Sequence, residues 1–463
     1  MRCVNPLWTS QAIAEATGGK AAYPFEVDGV AFDSREVARG DLFVAMKGEH
    51  ADGHDFIPKA LAAGASGLLV DRSVAGPTVQ VADTGVALVD LARAARARTA
   101  AKIIGVTGSA GKTGTKEALF QAFDRMSFGA AHRSLKSYNN HVGVPLSLAR
   151  MPAETRYGVF EMGMNHEGEL RKLTRLVRPH VAIVTTIAAA HIEYFGSEEK
   201  IAQAKGEIFE GLTGEAIAII PYDSPHVSRL YNIATRHARQ VVTFGFGSGA
   251  DVRVIEDMPA TGGGSLVTAQ LREARLSFTV AMPGRHWISN ALAVLAAVEA
   301  VGGDLAQAGL ALADMAGLPG RGARRIVHTH DGGEALVIDE AYNANPASMA
   351  ATLAQLGEEP ATRRIAVLGA MKELGAQSDA LHRGLADPVR AAGVAFVILV
   401  GEEMAPLADA LASDVPVERA ADAGAAFAML ADRLVGGDVV LVKGSNSVGL
   451  SKLVETLSTL EEA

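Results

Sequence analysis

The chain has 463 residues, 49% hydrophobic and 21% charged, with a formal net charge of -9. That length predicts two to four globular domains with ample core, and the acidic balance argues against broad binding to nucleic acid. Cys3 is the single cysteine, which excludes an intrachain disulfide and predicts a reducing, cytoplasmic setting.

The N-terminus shows no basic segment followed by an apolar one, so no signal peptide is expected. Residues 1–100 alternate short strands and helices, with strands at Leu42–Met46 and Gly67–Val70 and a helix at Phe56–Ala63. Residues 101–320 open with a strand from Lys102 that runs into a glycine-rich loop. The second strand of this unit ends at Glu161-Met162-Gly163, further strands lie at Val181–Ile187 and Ala216–Ile220, and Lys200–Phe209 reads as a helix. This alternation predicts a mostly parallel sheet covered by helices. Residues 251–282 depart from it: Leu276, Phe278 and Val280 share one face of a period-two segment, which predicts a small antiparallel insert. The Ala-rich stretch Ala291–Val301 is interrupted by Glu299 and reads as a buried helix, so no membrane span is expected. Gly317-Leu318-Pro319-Gly320 reads as a hinge. Beyond it, strands at Ala335–Ile338, Ile365–Leu368, Phe396–Val400 and Val439–Val442 alternate with Ala-rich helices, as in a second doubly wound unit. The predicted class is α/β in three domains: a small N-terminal α/β domain (1–100), a central P-loop domain with a mostly parallel sheet (101–320) and a C-terminal Rossmann-like domain (321–463).

The chemistry concentrates at strand ends. Gly105–Glu117 contains T-G-x-x-G-K-T, a shortened phosphate loop in which Val106 stands where the longer pattern has glycine. Such a loop aims backbone N–H groups and a helix N-terminus at phosphate, Lys112 reaches the β/γ-phosphates and the Thr113 hydroxyl is a Mg²⁺ ligand. Glu161, at the end of a neighbouring strand, has the position of a second ligand to a nucleotide-bound cation. His191 follows a strand and Lys205 lies within Ala-Lys-Gly-Glu; by residue type alone a structural histidine and a solvated lysine explain them equally well. Asp339, Tyr342, Asn343 and Asn345 lie where a C-terminal strand ends. Asp339 suits a ribose or metal ligand, Tyr342 a stacking surface and the two amides donate and accept. A turn followed by Pro346 in a first helical turn also accounts for this segment.

Together these pieces resemble the Mur ligase superfamily of ATP-dependent peptide-bond-forming enzymes, nearly end to end. The likeness runs through Asp33-Ser34-Arg35, Gly40–Ala45 and Asp52–Phe56, then Thr107–Thr113, Asn139–Pro145, Glu161–Gly163, Ala190–Glu193 and Ala204–Ile208. In the C-terminal unit it includes Asp339-x-Ala-Tyr342-Asn343-Ala344-Asn345-Pro346, Leu368–Gly375 and Val442–Ser445. The Tyr-Asn-Ala-Asn-Pro segment is characteristic of the D-alanyl-D-alanine-adding branch, and the Asp-Asn-Pro-Arg motif of the diaminopimelate-adding branch is absent. Trp287, Ala370, Asn446, Ser134 and Ser137 depart from residues usual in the family.

The resemblance implies ATP as co-substrate, two Mg²⁺ ions, and UDP-MurNAc-tripeptide and D-alanyl-D-alanine as the substrates joined, in a monomer. Thr107, Gly108, Ser109, Ala110, Gly111, Lys112, Thr113 and Gly114 would hold the phosphates, Asn290 the adenine and Arg321 the γ-phosphate, while Asp339 would bind the ribose or orient nearby polar groups. Thr113 and Glu161 would hold one ion; His191 and a carbamylated Lys205 would help hold the other, a carbamate being an anionic oxygen ligand that a hard cation prefers. Lys112, Lys205, His191 and Arg321 are therefore the expected catalytic set. Ser34 and Arg35 would seat the uridine diphosphate, and Asn139, Asn140, Tyr342, Asn343 and Asn345 the remaining substrate. Competing readings are another ligase of the superfamily, an ATPase switch that turns over without acceptors, and a silent nucleotide-binding scaffold. Retention of Lys112, Thr113, Glu161, His191 and Lys205 argues against the last.

Overall fold

The computed structural model describes residues 5–48, 51–261 and 263–459, and Cys3 lies outside them. The first large sheet has the spatial order Lys20–Ala21, Thr78–Gln80, Gly67–Val70, Asp41–Val44 and Gly29–Ala31, parallel apart from its first strand. Asp41–Val44 and Gly67–Val70 are buried along their whole length. Strands covered on both faces read as short unbroken apolar runs, which is how the sequence presents them.

The central sheet has nine strands, in the order Arg275–Val280, Ser265–Gln270, Val252–Pro259, Gln240–Gly245, Ile217–Pro221, Val181–Val184, Lys102–Thr107, Tyr157–Glu161 and Ala131–Arg133. Successive side chains along a strand face opposite layers. Ile104 and Ile183 pack under the helices Lys112–Ser127 and Arg285–Ala300, while Ile103 and Ala182 join the opposite layer with Leu170, Val177 and Ile208.

Three sequence expectations shift here. Tyr157–Glu161 is the third strand of this unit, because Ala131–Arg133 precedes it at the sheet edge. The strand expected over Val181–Ile187 stops at Val184; beyond it Thr185 Oγ1 donates to Ala110 O at 2.5 Å and Thr186 O accepts from Ser109 N at 2.7 Å, so the chain leaves the sheet to brace the glycine loop. The antiparallel residues 251–282 are not a separate layer: Val252–Pro259 pairs in parallel with Gln240–Gly245 and extends the sheet.

The third sheet runs Ala323–His328, Glu334–Glu340, Asp438–Lys443, Arg363–Gly369, Val394–Val400 and Val417–Ala420, with the first strand antiparallel. It meets the central unit through apolar contact: Ile192 and Phe195 belong to the same buried cluster as Met371 and Leu374. No helix among the described residues is long and apolar enough to cross a membrane.

Candidate active site

Helix Lys112–Ser127 begins at Gly111, which has φ +81° and offers no side-chain cap. Its first N–H groups therefore have no side-chain cap and form a ready site for an anion. The loop before it is too tightly braced for side chains. A Cβ at Gly108 would stand 1.8 Å from Thr185 Oγ1, and one at Gly111 would stand 2.7 Å from Asn290 Oδ1. Lys112 Nζ folds back to donate to Gly108 O at 2.7 Å. Burial lowers the Lys112 pKa, and the Glu161 carboxylate opposes that shift. Beneath the loop, Thr113 Oγ1 donates to Glu161 Oε2 at 2.8 Å, and Asn139 Nδ2 donates to Glu161 Oε1 at 2.8 Å.

This edge of the sheet opens into a cleft of about 420 Å³ shared with the C-terminal unit. Ser109, Ala110, Gly111, Lys112 and Gly114 line one side, with Glu161, His191, Lys205 and Asn290; Arg321, Tyr342, Asn343 and Asn345 line the other. Thr107 is fully buried behind that wall. The two sides already touch. Asn345 caps helix Pro346–Glu358 and donates from Nδ2 to Ser109 O at 3.2 Å. The Arg321 guanidinium lies 4.1 Å over the Tyr342 ring and donates to Ser137 Oγ at 3.1 Å.

Two expected ligand-binding residues are placed differently. Asp339 is buried with both carboxylate oxygens on backbone N–H groups, Gly320 at 2.7 Å and Ala341 at 3.1 Å. Those contacts fix the turn after Leu318, which is the orienting alternative for Asp339; the side chain does not itself line the cleft. Asn140 likewise lines neither major cavity; its Oδ1 accepts from Gly143 N at 2.9 Å and holds the start of helix Gly143–Ala149. Ser34 and Arg35 line a second cavity of about 950 Å³ in the N-terminal unit, together with His141 and Val142. Arg35 is held there by a bidentate pair with Asp33.

Lys205 is 2% exposed. Burial, then the nearby Lys112 ammonium, drives its pKa well below that of an ordinary lysine. His191 adopts φ +60°, and its Nδ1 lies 2.5 Å from Glu373 Oε2 without hydrogen-bond alignment. Glu373, at φ +63°, is lowered in pKa by that contact.

These donors fit Mg²⁺ in part. Among the described residues no three His, Cys, Asp or Glu side chains converge on one point. Mg²⁺ takes one or two protein oxygens and completes its shell with phosphate and water, so the buried Thr113–Glu161 oxygen pair beside the loop suits it. The second set has His191, whose Nδ1 faces Glu373, and Lys205, whose pKa burial lowers.

The sequence alone assigned no role to several cleft groups. Trp287, which departs from the family residue, closes over Gly114 with its ring 2.8 Å from a Cβ there. Glu340 and Lys443 form a buried pair at 3.4 Å in the same cleft; burial raises the Glu340 pKa and lowers that of Lys443. Both sit at strand ends inside the Asp339–Pro346 and Val442–Ser445 motifs, which was the available signal. Lys116, four residues after Lys112, is fully buried and was not singled out.

The descriptions "Mur ligase family, catalytic domain", "Mur ligase middle domain" and "Mur ligase, glutamate ligase domain" match residues 26–102, 106–298 and 324–446. The UDP-N-acetylmuramoyl-tripeptide–D-alanyl-D-alanine ligase of Escherichia coli (strain K12) is 36% identical over 435 residues, covering 93% of this chain and 94% of its own. Among solved structures, MurF from Acinetobacter baumannii superposes with TM-score 0.83 at 28% identity, covering 99% of this chain and 100% of its own. MurF ligase from Thermotoga maritima in complex with ADP gives 0.78 at 27% identity, covering 94% and 98%. With relatives this similar along almost the whole length, the chain belongs to the Mur ligase family.

Proposed function

We propose that this chain is the ATP-dependent ligase that joins D-alanyl-D-alanine to UDP-N-acetylmuramoyl-tripeptide, forming the pentapeptide precursor of peptidoglycan. The observation that carries the reading is the cleft itself. A phosphate loop with Lys112 and the Thr113–Glu161 pair faces Arg321 and the Tyr342–Asn345 segment across a gap of small-molecule size. The relatives named for this reaction, and the related structure titled as an ADP complex, support it.

A carboxylate is a poor acyl electrophile because it is already anionic. In the proposed sequence its oxygen attacks the γ-phosphorus of ATP, the bond to the bridging oxygen breaks and ADP leaves. The amine of D-alanyl-D-alanine then attacks the acyl carbon, phosphate departs and the nitrogen loses its proton. The first step brings like charges together, a repulsion of roughly 4 kcal/mol for unit charges at 4 Å and an effective dielectric of 20. Lys112 and the helix N-terminus offset it from the central side and Arg321 from the hinge. Mg²⁺, held by Thr113 and Glu161 and by His191 with carbamylated Lys205, would supply further charge neutralisation on phosphate oxygens. Asn139 orients Glu161, Asn290 and Trp287 border the nucleotide, and Tyr342, Asn343 and Asn345 shape the acceptor side. Ser34 and Arg35 bind the uridine diphosphate in the N-terminal cavity.

The test is phosphate release from ATP and Mg²⁺ with each substrate alone and both together, with the product weighed by mass spectrometry. Release only with both, and a mass equal to their sum less one water, is the expected result. Release that ignores both substrates would replace this reading with an ATPase switch.

A further inference from the structure

Residues 134–142 form a wall shared by two cavities. Ser137 and Asn139 face the cleft, whereas His141 and Val142 face the N-terminal pocket. The segment is gripped from three sides. From below, the fully buried Lys116 donates from Nζ to Ser134 O at 3.0 Å and Lys136 O at 2.8 Å, and pairs with Glu117 at 2.8 Å. From the N-terminal unit, Glu36 accepts from the Tyr138 hydroxyl at 2.7 Å and pairs with Lys136 Nζ. From the hinge, Arg321 donates to Ser137 Oγ at 3.1 Å.

Lys136 itself has φ +48°. A residue other than glycine holds that conformation only where its surroundings over-determine it. Lys116 fixes its carbonyl and Glu36 its ammonium. The same short stretch then places Asn139 on Glu161 and Ser137 against Arg321. Glu36 also belongs to the turn that lines the N-terminal pocket, since its N–H donates to Asp33 O at 3.0 Å and Ser34 and Arg35 lie between them.

We propose that Glu36 is a positioning residue that, through Lys136 and Tyr138, sets the placement of Ser137 and Asn139 and thereby couples occupancy of the N-terminal pocket to nucleotide binding in the cleft. This rests on reading the two cavities as the UDP-substrate and ATP sites. An exposed ion pair adds little stability by itself, so the effect belongs in coupling between ligands, not in the folded state as such.

The experiment uses the full chain and its Glu36→Gln and Lys136→Gly variants. Affinity for a non-hydrolysable ATP analogue with Mg²⁺ is titrated with and without UDP-MurNAc-tripeptide, and thermal midpoints are recorded. The parent is expected to bind the analogue at least about 5-fold more tightly when the second ligand is present, the lower end of ordinary coupling between sites. In Glu36→Gln that ratio falls toward one at an unchanged midpoint. Lys136→Gly, which accepts the positive φ but lacks the ammonium, loses the ratio in the same way. A parent ratio of one overturns the proposal, as does a Glu36→Gln variant with the parental ratio. Equal weakening with and without the second ligand, together with a lowered midpoint, assigns Glu36 a structural role only and also overturns it. Failure of the ligase reading is separately visible, because the unaltered chain would then neither bind UDP-MurNAc-tripeptide nor join it to D-alanyl-D-alanine.

Discussion

Lys205 offers the sharpest test of the cleft chemistry. Its helix, Glu198–Gly206, carries it into the cleft with 2% exposure and with the Lys112 ammonium as a repelling neighbour. Removing one ion from water without a partner costs several kcal/mol even after relaxation. The neutral amine is also the form that adds CO₂, so a carbamate at Lys205 would form from it. The sign of the pH effect follows. With the pKa lowered on folding, the unfolded chain binds the extra proton between the two values. The unmodified protein therefore gains stability as pH rises through that window, at up to about 1.4 kcal/mol per unit, and levels off above about 10.4. Lys205→Met lacks this slope and at neutral pH is at least as stable as the unmodified parent. Its ligation rate should nonetheless fall about 10²–10³-fold, the usual effect of deleting one preorganised charge-stabilising group. Lys205→Ala leaves space for a free carboxylic acid, so acetate should restore part of its activity. The assays are denaturant unfolding across pH, phosphate release with product mass, and intact mass of the parent in bicarbonate. Parental activity in Lys205→Ala without added acid would refute the reasoning.

Lys112→Ala should abolish turnover while circular dichroism and the thermal midpoint stay close to the parent, because Nζ makes its hydrogen bond only within its own loop, to Gly108 O; product at the parental rate would remove the phosphate-loop role. Gly108→Ala drives a Cβ against Thr185 Oγ1, so it should cost about 1–3 kcal/mol of stability and weaken ATP-analogue binding, read by denaturant melts and calorimetric titration. Asn139→Ala frees one oxygen of Glu161 and should raise the Mg²⁺ needed for half-maximal activity about 10–100-fold, as loss of a ligand-orienting partner does; an unchanged Mg²⁺ curve would separate Glu161 from the metal.

What the sequence made legible follows from how local each signal is. The glycine loop, its lysine and the strand–helix alternation are short-range patterns, and the structure shows the fold they imply. Strand ends were harder. Thr185 and Thr186 have strand-like chemistry, yet they serve the loop of a neighbouring strand. Asp339 at a strand end left two roles open, ribose contact or orientation of polar groups, and its hydrogen bonds to the Gly320 turn show the second. Asn139 and Asn140 have different partners, Asn139 reaching Glu161 and Asn140 the start of the next helix, a split that residue type does not reveal.

Contacts between distant segments left no local trace. Glu36 meets Tyr138 across 102 positions, and Asn345 meets Ser109 across 236. These are the contacts that make one site out of separate units, and they share a physical style. Each is a polar link from a loop to the backbone or side chain of another unit, and apolar contact such as Ile192 and Phe195 in one cluster with Met371 and Leu374 also joins the units. Apolar packing holds the units together without fixing their angle, since it is not directional; hydrogen bonds fix the angle but add little net stability. A ligase that must hold three substrates in line and then release a larger product needs that division. Arg321–Ser137, Asn345–Ser109 and Glu36–Tyr138 are links of that direction-setting kind.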